Sequence, residues 1–172
     1  FNFDKENYVT LKSNGTIDAD VTLSNDSDAG IHLYTTPDQK SKLNANLELF
    51  NINLKDLTSV MPFVPDIAGI LNLELYFKKD KDDMMLSSDI RIDSIAYEGT
   101  LIGNEAMEIV YFPKSDNTHY LDVLLNHNEE EVLHISGDYL NDTNDPGLHG
   151  EINLTRFPLG ITHAFMKDTG MG

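Results

Sequence analysis

The stretch that decides the fold runs from Leu43 to Phe77, LNANLELFNINLKDLTSVMPFVPDIAGILNLELYF. Leu43, Ala45, Leu47 and Leu49 alternate with Asn44, Asn46 and Glu48. A period of two sends the two sets to opposite faces of a β-strand, one apolar and one wet. From Leu54 the period lengthens: Leu54, Leu57, Val60 and Met61 share one face of a two-turn helix. Asn53 is placed to cap that helix, and Pro62 and Pro65 to end it. Alternation then returns with Leu71, Leu73, Leu75 and Phe77 against Asn72, Glu74 and Lys78.

The first part of this stretch recurs. A gapless shift of 105 residues pairs Leu43 with Leu148, Leu47 with Ile152, Leu49 with Leu154, Leu54 with Leu159 and Met61 with Met166. A fixed-period recurrence marks a repeat architecture. The expectation is one β-domain over residues 1–172 with an internal repeat, 43–66 and 148–171, and a second short helix over Pro158–Lys167.

Working outward, Ile17, Ala19, Val21 and Leu23 alternate with Asp18, Asp20 and Thr22, and Leu121, Val123 and Leu125 with Asp122 and Asn126. Further strands are expected at Val9–Leu11, Ile31–Thr35, Leu86–Ile92, Ile95–Leu101, Met107–Phe112 and Val132–Ser136. The turn signals between them include Ser13–Gly15, Ser24–Gly30, the charged tip Lys78–Asp83, Gly103–Asn104 and Asn141–Gly147. Ten to twelve short strands joined by hairpin-length turns predict an all-β fold of antiparallel strands. An apolar face on nearly every strand is served either by one elongated, curled sheet or by two sheets packed as a sandwich.

Composition narrows the function. The formal charge is −17, with 12 Lys and Arg against 29 Asp and Glu. That is the wrong sign for displacing counterions from nucleic acid and for attraction to anionic lipid headgroups. Hydrophobic content of 40% is too high for a disordered acidic tail. With no Cys there is no disulfide framework, thiolate metal site or cysteine nucleophile. The six His residues, at 32, 119, 127, 134, 149 and 163, form no metal-binding spacing, and Asn141–Asp145 lacks the Gly and distal Glu of an EF-hand loop. No nucleophile elbow, P-loop or dinucleotide fingerprint is present. The expectation is a non-enzymatic chain with no cofactor. Its first residue is Phe1 rather than Met, and on the 105-residue offset its last residues fall just before a new strand, so a fragment of a longer chain is expected.

The run from Leu47 to Leu75 resembles the repeating unit of the C-terminal region of the translocation and assembly module TamB family. There, alternating strands lead through a Phe-Pro-Leu-type segment and helix to a Pro-Asp and a Gly-led strand. Phe157-Pro158-Leu159 fits that segment, Ile52-Asn53-Leu54 is its degenerate counterpart, and Pro65-Asp66, Gly69 and Ile95–Gly103 fit what precedes the next strand. The resemblance implies a β-taco or trough within a periplasmic protein anchored in the inner membrane of a diderm bacterium, related to AsmA-like and bridge-like lipid-transfer proteins. It implies phospholipid transport between membranes or outer-membrane protein assembly, with phospholipid acyl chains and an outer-membrane β-barrel assembly protein as partners. The strand faces expected to bind acyl chains are Ile17, Val21, Leu23, Leu43, Leu47, Leu49, Leu71, Leu73, Leu75, Leu121, Val123, Leu125, Ile152 and Leu154. The alternative is a periplasmic or cell-surface sandwich that serves as an interaction module, with these side chains filling a closed core.

Overall fold

The computed structural model describes residues 1–36, 43–59, 64–80, 83–114, 117–140 and 147–156. In chain order the elements are β1 (Asn2–Phe3), β2 (Tyr8–Leu11), β3 (Ile17–Ser24), β4 (Gly30–Thr35), β5 (Leu43–Asn53), α1 (Leu54–Thr58), β6 (Ile67–Lys79), β7 (Met84–Tyr97), β8 (Thr100–Pro113), β9 (Thr118–His127), β10 (Glu130–Leu140) and β11 (Gly147–Leu154). Among the described residues the eleven strands form one sheet, and every pairing is antiparallel. From β3 to β11 each strand pairs with the next in sequence, while β1 and β2 both pair with β3. The sheet is open and curled.

Among the described residues no second layer covers it. Among the described residues no large side chain is fully buried, and the buried apolar positions are only Ala19, Ala29, Ile52, Tyr97 and Val132. A two-sheet sandwich interdigitates its inner faces into a core about 10 Å thick, with many fully buried side chains. The single curled sheet is therefore the architecture.

The two ends of the strands differ. One end carries the loop between β3 and β4, the α1 segment, and two tight turns. Those turns, Glu98–Gly99 and Asn128–Glu129, have positive φ at both residues (47° and 74°, 49° and 69°). This is the signature of a type I′ hairpin, whose twist matches that of its strands. Every register break among the described strands also lies at this end: Leu49/Ile52, Ala68/Ile70, Ile92/Ile95, Ile95/Ala96 and Glu131/Leu133. A β-bulge bends its strand and increases the local twist, so these breaks concentrate curvature here. Four of the residues involved adopt positive φ: Asn51, Gly69, Ser94 and Gly103.

Bulges free backbone N–H groups, and asparagine side chains take them up. Asn72 Oδ1 accepts the N–H of Asn51 at 2.9 Å, Asn104 Oδ1 that of Ser94 at 2.8 Å, and Asn128 Oδ1 that of Asn104 at 2.9 Å. In the loop between β3 and β4, Asn25 Oδ1 accepts from the N–H groups of both Ser27 and Ala29. The asparagine-rich composition thus has a structural use.

Several expected boundaries move. Ile95–Leu101 is not a strand of its own: it is the end of β7, the Glu98–Gly99 turn and the start of β8. Gly103–Asn104 is a bulge inside β8, not a turn, because the strand continues through it to Pro113. Asn53 does cap α1, its side chain accepting the Lys55 N–H at 3.0 Å, and the described helix spans Leu54–Thr58. Val60, Met61 and Pro62, the expected helix at Pro158–Lys167 and most of the Asn141–Gly147 turn lie outside the described residues.

Two three-strand units share one cross-strand register. Val21–Leu33–Leu47 on β3–β4–β5 corresponds to Val123–Ile135–Ile152 on β9–β10–β11, and Leu23–Ile31–Leu49 to Leu125–Leu133–Leu154. The first two strands of each unit match at an offset of 102 and the third at 105, so the second unit is three residues longer before its last strand.

The apolar sheet face as a candidate binding surface

Cross-strand partners share a face, so the registers sort every strand residue. One face carries Val21 and Leu23 of β3, Ile31 and Leu33 of β4, Leu43, Leu47 and Leu49 of β5, and Leu71, Leu73 and Leu75 of β6. It continues through Ile90 and Ile92 of β7, Met107 and Ile109 of β8, Leu121, Val123 and Leu125 of β9, Leu133 and Ile135 of β10, and Ile152 and Leu154 of β11. Ile17 joins it through its pairing with Leu11. All fourteen residues expected to bind acyl chains therefore stand on one face.

The face is neither core nor ordinary surface. In its middle, neighbouring side chains leave the leucines and isoleucines half-buried. Toward the lateral margins the shielding fails: Leu11 is 74% exposed on one side, and Leu148, Ile152 and Leu154 are 76%, 70% and 63% exposed on the other. Monomeric soluble proteins rarely leave so continuous an apolar surface open, and such surfaces mark binding sites.

Polar groups on this face are few, and most sit at the strand ends. Glu105 and His127 are cross-strand partners at the bulged end, with His127 Nδ1 2.6 Å from Glu105 Oε1. Lys79 and His119 lie at the opposite end, and Ser88 is buried between Leu75 and Ile109. Alternation alone did not single these out. The bulges shift the phase of β7 and β8, and His119 and His127 extend the apolar series of β9 into its termini.

The opposite face carries the acid. Asp18, Asp20, Asn44, Asn46, Glu48, Asn72, Glu74, Asp122, Glu151 and Asn153 all stand on it. A row of four carboxylates, Glu48, Glu74, Asp89 and Glu108, crosses β5 to β8 as successive cross-strand neighbours. Like charges placed directly opposite each other destabilise a sheet. Arg91 offsets part of this, holding Asp89 through Nε and Nη2 at 3.1 and 2.9 Å. Its guanidinium is shifted further above its usual range, first by the hydrogen bonds to Asp89 and then by the charges of Asp89, Glu74 and Glu108.

Histidines satisfy other acids here. His32 Nε2 lies 2.9 Å from Asp20 Oδ1, and its Nδ1 lies 3.5 Å from Glu48 Oε2. The same pairing appears on β9 and β10, where His134 Nε2 lies 3.0 Å from Asp122 Oδ2. Both members of the pair are displaced by 102 positions. The hydrogen bond holds His134 above the usual histidine range and Asp122 below the usual carboxylate range. Tyr34 and Tyr120 donate to Glu48 and Asp122, which raises both phenols. These partners account for His32 and His134 as outer-face structural residues.

Comparison of the chain with protein-family models, with curated proteins and with solved structures gives no match in any of the three.

Proposed function

We propose that this chain is a segment of a non-enzymatic lipid conduit, in which the apolar face of the curled sheet holds phospholipid acyl chains. The observation that carries this reading is a continuous apolar face, spanning β3 to β11, over which no second layer lies among the described residues. Acyl chains suit such a surface because they need area rather than directional partners, at about 0.8 kcal/mol per buried CH₂. The acidic outer face keeps the assembly soluble. The resemblance of Leu47–Leu75 to the TamB repeat supports placing the segment in a periplasm-spanning, inner-membrane-anchored protein of a diderm bacterium. There it would serve phospholipid transport or, with an outer-membrane β-barrel assembly protein, outer-membrane biogenesis.

Site-specific photocrosslinking tests the reading. A photoreactive residue at position 47, 73 or 123 should capture phospholipid in cells, and one at position 46, 72 or 122 should not. Equal capture from both sets, or none from either, overturns it.

A further inference from the structure

Among the described residues the apolar face is interrupted where β10 meets β11. On β10 and β11, Gly137 and Gly150 are direct cross-strand partners, so two adjoining positions carry no side chain. In the other three-strand unit the corresponding pair is Thr35 and Ala45, which do carry side chains. The gap forms a recess of about 410 Å³, within the range of small-molecule sites. Tyr139 and Leu148 bound it toward one strand end, Ile135 and Ile152 toward the other, and Tyr111 and Leu121 along its side.

The chain itself shows what covers a glycine in such a sheet. On the outer face Gly30 is paired with Phe50, whose ring lies over it so closely that a Cβ on Gly30 would sit 2.3 Å from Cζ. A flat ring against bare backbone is the standard compensation for a strand glycine. At Gly137 and Gly150, among the described residues, the atoms nearest an added Cβ belong instead to the facing backbone, the His149 and Ser136 carbonyl oxygens at 2.8 and 2.9 Å.

Ser136 and Glu151, whose register puts them on the outer face, also line the recess, and on the apolar face one hydrogen-bonded pair adjoins it. Tyr111 and His119 stack with centroids 5.5 Å apart, and Tyr111 Oη lies 2.8 Å from His119 Nδ1. If the hydroxyl donates to Nδ1, the neutral imidazole keeps its N–H on Nε2. If Nδ1–H donates to Oη, the phenol keeps its O–H. In either tautomer the pair retains one donor, suited to a single acceptor oxygen.

We propose that this recess is a subsite for the ring of a ring-bearing amphiphile, a planar hydrophobe with one hydroxyl or carbonyl oxygen and an apolar tail. The ring lies on the Gly137–Gly150 backbone, its oxygen meets the Tyr111–His119 pair, and the tail runs along the apolar face. The inference rests on the groove reading and adds a preference that an unbranched alkyl chain does not satisfy.

The test is competition against a fluorescent fatty acid bound to the purified chain, with pentadecylphenol and hexadecanol as matched neutral competitors. Pentadecylphenol should displace the reporter at roughly tenfold lower concentration, the difference that one well-placed ring and hydrogen bond supply. Leu148→Trp, at a position 76% exposed, sets an indole beside the recess and should erase most of that advantage. Tyr111→Phe should narrow it with the circular dichroism spectrum unchanged. Displacement by hexadecanol with no preference for the phenol, or a preference that survives both variants, overturns the subsite and leaves the groove standing. Failure of the reporter and both competitors to bind overturns the two together.

Discussion

At the scale of single residues, the two faces should respond to substitution in opposite ways. Leu47 and Leu73 lie in the half-buried middle of the apolar face, where an unpaired charge has nothing to offset its desolvation. Leu47→Asp and Leu73→Arg should abolish lipid capture or folding. Urea melts and crosslinking, scored separately, distinguish the two outcomes. Asn46→Asp on the outer face should do neither. Asn72 is the instructive exception. In the sequence it is one more polar residue in an alternating strand, but its side chain accepts the Asn51 N–H at a bulge. Asn72→Ala should therefore cost about 1 kcal/mol in a urea melt, the worth of one hydrogen bond to an otherwise unpaired donor. Alternation revealed which face Asn72 occupies. Its partner, one strand away and 21 positions distant, could not be read from it.

The Asp122–His134 pair gives a pH-dependent expectation at the same scale. His134 is raised from 6.5, chiefly by its hydrogen bond to Asp122, with Glu131 and Glu151 adding to the field. The stabilisation it brings is complete below pH 6.5 and is lost as pH rises through the raised folded value. Asp122 is lowered from 3.8, chiefly by the bond to His134, so its share is present above 3.8 and is lost as pH falls through the depressed value. The window of full benefit lies between these limits. The Tm difference between the parent chain and Asp122→Asn should be largest near pH 5.5 and shrink by about pH 8. It should be modest throughout, because both groups are solvent-accessible.

At the scale of elements, what was legible follows from periodicity. The strands at Leu43, Leu71, Leu121 and Leu148 each alternate through at least three apolar positions, and each is found in the structure. The Asn53 cap was legible because capping is local. What alternation misplaced is the bulged end. Gly103–Asn104 has the composition of a turn, yet the strand passes through it, because Gly103 pairs with Ile95 of β7 and the Asn104 carbonyl accepts the Asn128 N–H at 2.8 Å on the other side. Glycine there serves a positive φ of 142°, as Gly69 serves one of 141°. A Cβ at Gly69 would also press on Ile92 at 3.0 Å and on the Asp93 carbonyl at 3.2 Å. Gly69→Ala should thus cost roughly 1–3 kcal/mol by chemical denaturation, while alanine at Gly15, with open space around it, should cost less.

At the scale of the whole molecule, charge and exposed apolar area set the solution behaviour. A net charge of −17 on a sheet with four carboxylates in one row is self-repelling, and salt screens that repulsion over about 10 Å at 0.1 M. The Tm should rise between roughly 0.01 M and 0.3 M NaCl, and a flat or falling Tm would contradict the repulsion argument. The open face should bind anilinonaphthalene sulfonate while near-native circular dichroism persists, which a closed core would not allow.

The strictly sequential order of the sheet reaches further than its shape. Among the described residues, from β3 onward, the extensive strand-to-strand contacts are all between neighbours in the sheet, with α1 packing on β6. Stability in such an array is a sum of nearest-neighbour terms, as in solenoids, and unravelling starts where a strand has one neighbour instead of two. Among the described residues the long pairings of β6, β7 and β8 lie in the interior, whereas β11 pairs only with β10, and β1 and β2 only with β3. Amide hydrogen exchange should therefore be slowest in β6 to β8 and quicken strand by strand toward both margins. The molecule would open like a fan, keeping a folded centre while its edges come and go.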